Sequence, residues 1–178
     1  MTPNEPEQFF RTGVQTYYDV RDAITEFEQQ VTDRCKKVAE KSRGRIDQVC
    51  GTGFWRPTEY NVTSSSQSIR RVGTRSSSRN DVRLFCCLEF RREGDDVVYR
   101  PLAFLWRRHM DVADDLWSLR EPSTDRFGLR LKEARKLLFG KRLLAAQIPG
   151  FDGHLEEAVN EFIDFVKKAG GLAKYFPH

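Results

Sequence analysis

The sequence contains few cysteines and no long apolar run, and both features restrict the classes of protein to which it can belong. Its 178 residues include four cysteines, none of them in a Cys-X-X-Cys pair. Disulfide-stabilised secreted domains need more cysteine than this, so a reduced, cytoplasmic protein is the simplest interpretation. No apolar stretch approaches the ~20 residues that cross a bilayer, and the polar residues 1–8 do not resemble a secretory signal. We therefore expect no membrane partner.

Catalytic motifs are equally scarce. There are three histidines, one of them the final residue, and no Gly-X-Ser-X-Gly, Walker or Gly-X-Gly-X-X-Gly sequence. A nucleophilic site needs a base beside a positioned nucleophile, and the sequence indicates no such pair. We predict no catalytic residue and no cofactor, and we favour a binding module over an enzyme.

The densest group of potential metal ligands is formed by His109, Asp111, Asp114 and Asp115. Asp111 and Asp115 are spaced to share one face of a helix, and the histidine lies just before them. No fourth ligand has a characteristic spacing. Acidic residues in the first turn of a helix also interact favourably with the helix dipole. Helix capping is therefore the favoured interpretation, with a divalent-metal site as the alternative and a metal-dependent enzyme as a distant third function.

Charge, by contrast, is plentiful and unevenly distributed. The net charge is only +4, yet residues 64–80 hold four arginines and no acid, and residues 126–142 hold seven basic residues and one acid. The rest of the chain is therefore acidic. Two separate basic stretches are typical of a chain that binds a polyanion, an acidic protein or its own acidic part. The candidate anion-binding residues are Arg70, Arg71, Arg75, Arg79, Arg130, Lys132, Arg135 and Lys136.

From these eight basic residues we predict a non-enzymatic module that binds a nucleic-acid backbone or an acidic protein surface. The serine-rich residues 64–80 are expected to form a mobile basic loop, in which arginines offer forked donors to phosphate or carboxylate. If both basic stretches project from one side, they form a positive footprint for a phosphate backbone. Trp55 is the one aromatic candidate for base stacking outside a predicted element, so sequence-specific readout is not supported.

Apolar residues recur at every third or fourth position across residues 10–38, which predicts a long helix over residues 5–42. Tyr17, Ile24 and Val31 are seven residues apart, a spacing that permits a coiled-coil seam and a homodimer. A helix that covers a sheet is the favoured interpretation. The alternative function is a protein-interaction or oligomerising subunit that uses the helix over residues 10–38.

The clearest strands form a hairpin over residues 81–106, joined by the turn sequence Glu93-Gly94-Asp95-Asp96. Apolar residues occupy both faces of the first strand, so its middle is expected to be buried on both sides. Its Glu89 is expected to pair with Arg91, Arg100 or Arg107. Pro101 lacks a backbone donor, which places the second strand at a sheet edge or at a bulge.

Weaker signals complete the sheet region, residues 46–107. Short strands are predicted at residues 59–63 and 68–72, and residues 73–80 are assigned to the exposed loop.

The helical region covers residues 111–170. It comprises a short helix over 111–119, a helix from 123 to Phe139, and a last helix that is capped by Asp152 and ended by Gly170-Gly171. The element order predicts one α+β domain over residues 1–178, with a mainly antiparallel sheet and helices on one or both of its sides.

Overall fold

The computed structural model describes residues 5–63, 69–76, 82–107 and 136–172. The predicted α+β class is confirmed: a long N-terminal helix precedes an antiparallel sheet, and a 3-10 helix followed by an α-helix closes the chain. The helices are α1 (Glu5–Lys41), α2 (Arg43–Cys50), the 3-10 helix (Ala145–Gly150) and α3 (Phe151–Lys168). The strands are β1 (Pro57–Thr63), β2 (Ile69–Ser76), β3 (Val82–Glu93), β4 (Asp96–Arg107) and β5 (Lys136–Phe139).

The sheet has the strand order β1-β2-β3-β4-β5, and every neighbouring pair is antiparallel. The predicted hairpin is confirmed as β3 and β4, which pair from Val82↔Arg107 to Glu93↔Asp96. Leu84, Cys86 and Leu88 lie on one face of β3 and Phe85 and Cys87 on the other, and all five are buried. The middle of this strand is therefore buried on both sides, as its composition predicts.

Residues 73–76 form the second half of β2, so their assignment to an exposed loop is wrong. A Cβ at Gly73 would lie 2.3 Å from the carbonyl oxygen of Cys86, so only glycine permits this close approach of β2 to β3. The hydroxyl of Thr74 donates to the carbonyl of Thr58, and the backbone N–H of Leu84 donates to the hydroxyl of Ser76. The hydroxyl groups of Thr74 and Ser76, residues that are typical of loops, thus find hydrogen-bond partners inside the sheet.

Pro101 does not mark an edge strand, because β4 lies between β3 and β5. The proline pairs with Leu88 of β3. On the other side of β4, it lies beside a gap in the pairing with β5. On that side the ladder ends at Ala103↔Phe139 and resumes as a single bridge between Tyr99 and Leu143. The missing donor is therefore tolerated where the ladder is interrupted.

The predicted helix that extends to Phe139 is wrong over its last four residues, which form β5. Leu138 and Phe139 are both buried and belong to core clusters on opposite faces of the sheet. Burial on both sides favours a strand over the helix that the apolar spacing suggests. The earlier part of that helix and the predicted helix over 111–119 lie outside the described residues.

The last helix, α3, is confirmed, but Asp152 is not its N-cap. Gly150 occupies that position, and Asp152 lies in the first turn, where its carboxylate pairs with Arg34 of α1 at 2.8 Å. At the other end the N–H of Gly171 donates to Val166 and that of Gly170 to Lys167, which is the Schellman arrangement that the two glycines predict.

The main core lies on the first face of the sheet, which we define as the face that carries Leu84, Cys86 and Leu88. The C-terminal half of α1, together with α2 and α3, covers this face. Their buried residues include Val31, Cys35, Val38 and Ala39 of α1, Ile46 and Cys50 of α2, and Leu155, Val159, Phe162, Ile163 and Val166 of α3.

A smaller cluster lies on the second face, the opposite side of the sheet. Phe85 and Phe104 stack there with ring centroids 4.4 Å apart, beside the buried Cys87, Leu102 and Leu138. The two clusters sandwich the central strands, which explains why β3 and β4 are almost continuously apolar.

Candidate interaction surfaces

The predicted anion-binding arginines of β2 point to opposite sides of the sheet. Arg70 lies on the first face, where its guanidinium is 3.9 Å from the carboxylate of Glu28 on α1. Arg71 lies on the second face, with its guanidinium 5.5 Å from the centre of the Phe104 ring. Because side chains alternate along a strand, these consecutive arginines cannot belong to one surface.

Arg71 forms a buried ion pair with Glu89 of β3. The two residues are register partners, and the arginine Nε donates to the carboxylate at 2.5 Å. They are only 8% and 2% exposed. The prediction that Glu89 pairs with Arg91, Arg100 or Arg107 is therefore wrong, although Arg100 is the register partner of Glu89 on the other side. Burial and pairing explain how charged residues are accommodated in the centre of the sheet.

The other predicted anion-binding residues do not form a described site. Arg75 is half-buried on β2, and Lys136 is the register partner of Trp106 through its backbone. The remaining four, Arg79, Arg130, Lys132 and Arg135, lie outside the described residues, as does most of the predicted loop over 64–80. The juxtaposition of the two basic stretches stays a prediction.

The metal-ligand candidates His109, Asp111 and Asp115 also lie outside the described residues. Across 5–63, 69–76, 82–107 and 136–172, no group of three histidine, cysteine or acidic side chains is placed to hold a metal ion. Burial raises the pKa of the Cys35 and Cys86 thiols well above the usual range, so both are protonated and unreactive at neutral pH. Among the same residues, no helix has both the length and the hydropathy needed to cross a membrane.

The most unusual surface of the described chain is the N-terminal half of α1. Every described side chain from Glu7 to Phe27 is exposed, and the first buried residue of the helix is Val31. At 1.5 Å per residue, this half extends for roughly 30 Å. Eight large apolar residues lie along it, and we call them the apolar stripe: Phe9, Phe10, Val14, Tyr17, Tyr18, Val20, Ile24 and Phe27.

The apolar stripe continues the face by which α1 packs on its own sheet. Six of its members recur at intervals of three and four, in phase with the buried Val31, Cys35 and Val38. These six are Phe10, Val14, Tyr17, Val20, Ile24 and Phe27. The helix is therefore amphipathic along its whole length, but only the second half of its apolar face is covered by the rest of the described chain.

The aromatic residues of the apolar stripe form two pairs that flank a shallow groove. Phe9 and Phe10 make an edge-to-face contact at 5.7 Å, and Tyr17 and Tyr18 make a similar one at 5.6 Å. Gly13 lies between the pairs and lines the groove, whose volume is about 310 Å³. A glycine inside an exposed helix costs about 1 kcal/mol relative to alanine, so helix stability does not explain its presence.

Charged side chains beside the apolar stripe are paired within the chain. Arg11 pairs with Glu7 at 3.0 Å, and Arg21 pairs with Asp22 at the same distance. The guanidinium of Arg21 also lies 4.8 Å from the centre of the Tyr18 ring. The two arginines beside the apolar stripe are thus paired within their own helix, whereas residues 5–28 as a whole carry a net negative charge.

The body of the protein begins to hold α1 at Phe27 and Glu28. The Phe27 ring contacts Phe90 of β3 at 5.9 Å, and Glu28 faces Arg70 of β2. Further along, Arg34 and Lys41 pair with Asp152 and Glu156 of α3. The second half of α1 is therefore fixed to the sheet and to α3, and it holds the first half in a defined direction.

Comparison of the chain with protein-family models, with curated proteins and with solved structures gives no match. The function is therefore argued from these surfaces alone.

Sequence reasoning predicted helix α1 correctly but favoured coverage of its whole apolar face by the sheet. The lengths of the helix and of the strands argue against complete coverage of this face. A helix of 37 residues is about 55 Å long, whereas a strand of 12 residues spans about 40 Å. A helix of this length extends past a sheet of this size, and its aromatic-rich end is then left exposed.

Proposed function

We propose that this protein is a protein-interaction subunit whose docking element is the N-terminal half of α1. The apolar stripe is the observation that carries the proposal. Phe9 is 73% exposed and Tyr17 65% exposed, and six further large apolar side chains are exposed along the same helix. Contiguous apolar surface of this extent on a soluble protein is characteristic of a site that another molecule covers.

The size of the apolar stripe supports a protein as the covering molecule. Its five aromatic side chains expose roughly 600 Å², given a surface of about 150–250 Å² for each ring. The three aliphatic residues bring the total close to the ~800 Å² that each partner contributes to a standard protein–protein interface. Docking of an amphipathic helix by its apolar face is a recurrent mode of protein recognition.

The charge of the same segment argues against an anionic lipid surface. Residues 5–28 contain six acidic and two basic residues. Helices that lie on membranes carry lysine and arginine on their polar face, since these residues are attracted to anionic headgroups. A protein partner is therefore the better match.

We place this function in the cytoplasm. The four cysteines are buried free thiols, which supports a reducing compartment.

A photo-reactive residue placed at Tyr17 tests the docking function in cells that express the chain. We expect discrete cross-linked products that contain a protein, either a second copy or another polypeptide that mass spectrometry identifies. The change Val14→Glu should abolish them, because it puts a charge inside the apolar stripe. The matched control places the photo-reactive residue at Asp22, on the polar face of the same helix, and should give none. Absence of any product at Tyr17 in correctly folded protein would refute the proposal.

A second candidate function is the binding of an anionic partner, nucleic acid or acidic protein. The two basic stretches of the sequence support it, since their local charges of +4 and +6 together exceed the net charge of +4 of the whole chain. Burial of Arg71 removes one of the eight residues from an exposed surface, so the remaining arginines and lysines must supply the affinity.

A further inference from the structure

The apolar stripe contains a sequence that reads similarly in both directions. Residues 9–18 are Phe-Phe-Arg-Thr-Gly-Val-Gln-Thr-Tyr-Tyr, with two aromatics at each end and a small-to-medium apolar pair in the middle. The structure repeats this symmetry, because each end forms an edge-to-face ring pair of nearly equal spacing, 5.7 and 5.6 Å. A surface with internal two-fold symmetry is suited to an isologous contact, in which the same patch serves both partners.

An antiparallel arrangement of two such helices brings the aromatic ends together. With the two-fold axis between Gly13 and Val14, Phe10 lies level with Tyr17 of the second copy and Phe9 lies level with Tyr18. Each contact occurs twice. Gly13 lies at the crossing point, where the absence of a side chain lets the helices approach closely, and a Cβ there would meet no atom of its own chain within 4 Å. The glycine thus gains a role that helix stability alone does not explain.

The residues that the structure describes leave room for this contact. The described body meets α1 at Phe27, about 13 residues or roughly 20 Å from the crossing point. The described helix begins at Glu5, which would lie level with Asp22 of the second copy and so short of its described body. The described parts of the two bodies would therefore project at opposite ends of the helix pair.

The exposed area agrees with a second copy as the occupant. The four aromatic rings expose roughly 500 Å² in each copy, so two copies reach the ~1,000 Å² expected of a specific interface before Val14 and Val20 are included. The neighbouring Arg11 and Arg21 already pair with Glu7 and Asp22 of their own helix, so neither brings an unpaired cation to the contact.

We infer that the chain forms a homodimer through an antiparallel, two-fold contact of α1 centred between Gly13 and Val14. This inference rests on the proposed docking function and names its partner as a second copy of the same chain.

Spin labels on single introduced cysteines test the orientation, since the native cysteines are buried. Asp22→Cys and Gln30→Cys place labels on exposed parts of α1. In the antiparallel dimer, the separation of the two labels along the helix axis grows with distance from the crossing point, to about 25 Å for residue 22 and about 50 Å for residue 30. A parallel dimer would give one short distance for both. Light scattering on the same samples reports the mass.

Charge changes at the contact test the register. Phe10→Lys alone and Tyr17→Glu alone should each raise the dissociation constant of the dimer by about 30-fold or more, as expected of central aromatic contacts. The two changes in one chain should weaken the dimer by clearly less than the two single effects combined, because the new opposite charges face each other twice. Glu26→Lys, on the polar face, is the matched control and should leave the mass unchanged. Circular dichroism verifies that each variant is folded.

A dimer with growing label distances and a double change that is less damaging than the two single effects combined supports the inference. A monomer across the micromolar range, or a dimer with equal short distances, overturns it. The monomer result leaves the docking function to be decided by cross-linking at Tyr17, which also reports partners other than a second copy.

Discussion

Arg71 and Glu89 are unusual among the ion pairs of the described residues because both side chains are at most 10% exposed. Ion pairs that water reaches, such as the partly exposed pair between Arg70 and Glu28, contribute less to stability because water screens them. A buried pair behaves differently, since removal of one partner leaves the other charge in a medium that solvates it poorly.

At the scale of single residues we predict that Glu89→Ala lowers the free energy of unfolding by about 3–5 kcal/mol, because Arg71 then stays buried without the carboxylate of Glu89. Urea denaturation followed by circular dichroism measures the change. Arg70→Met is the matched control, and its effect should stay within about 1 kcal/mol. The double change Arg71→Met with Glu89→Leu should recover much of the stability. Equal effects of Glu89→Ala and Arg70→Met would contradict the assignment of a buried pair.

The sequence could not separate Arg71 from its neighbours on β2. Four arginines among serines are typical of an exposed basic loop, and nothing in their order indicates which of them is buried. Burial depends on the register of β2 with β3, which places Arg71 beside Glu89 at a distance of 18 residues along the chain. Register is decided by packing between strands, which the local composition does not encode.

At the scale of elements, the contact between α1 and the sheet is lined by thiols. Cys35 on α1 and Cys86 on β3 are both fully buried in the main core. Burial raises the pKa of each thiol, and for Cys35 the neighbouring Cys87 and Cys86 raise it further. The folded state therefore holds these protons more tightly than the unfolded state, in which a thiol has an ordinary pKa of about 8.5.

This difference predicts a loss of stability in alkali. The stabilisation of the folded state by these buried thiols is fully present below the ordinary thiol pKa. It decreases as the pH rises above that value, because the unfolded state then releases protons that the folded state keeps. Urea denaturation at pH 7 and at pH values above 9 measures the slope. Cys35→Ala should reduce that slope, whereas an identical slope in both proteins would contradict the prediction. A thiol reagent should react with the native protein much more slowly than with the unfolded one.

Helix α1 shows what periodicity can and cannot predict about an element. The spacing of apolar residues, together with the start and stop signals on either side, predicted its bounds to within one residue of the observed Glu5–Lys41. The same spacing continues unchanged from Tyr17 to Val38, although the first of these is exposed and the second is buried. An apolar face indicates that something covers it, but whether this is the chain's own sheet or another molecule depends on where the sheet ends.

At the scale of the whole molecule, the distribution of charge separates the two candidate functions. If the basic stretches bind a phosphate backbone, mobility shifts with DNA and RNA should weaken steeply between about 50 and 200 mM salt. Arg130→Glu with Arg135→Glu should then abolish binding. Lys167→Glu with Lys168→Glu makes the same change in charge on the exposed last turn of α3 and should retain it. Absence of any shift at low salt would eliminate nucleic acid as the partner.

The sequence by itself determined the α+β class, the long first helix, the central hairpin and the end of α3 at Gly170-Gly171. These features depend on local periodicity, turn chemistry and helix stop signals, all of which are set by residues close together in the sequence. Only the tertiary structure decided that residues 73–76 and 136–139 are strands and that Arg71 is buried with Glu89. It also decided that the described part of the chain covers only half of the apolar face of α1. Each of these depends on contacts between distant segments, whose energy no local pattern contains.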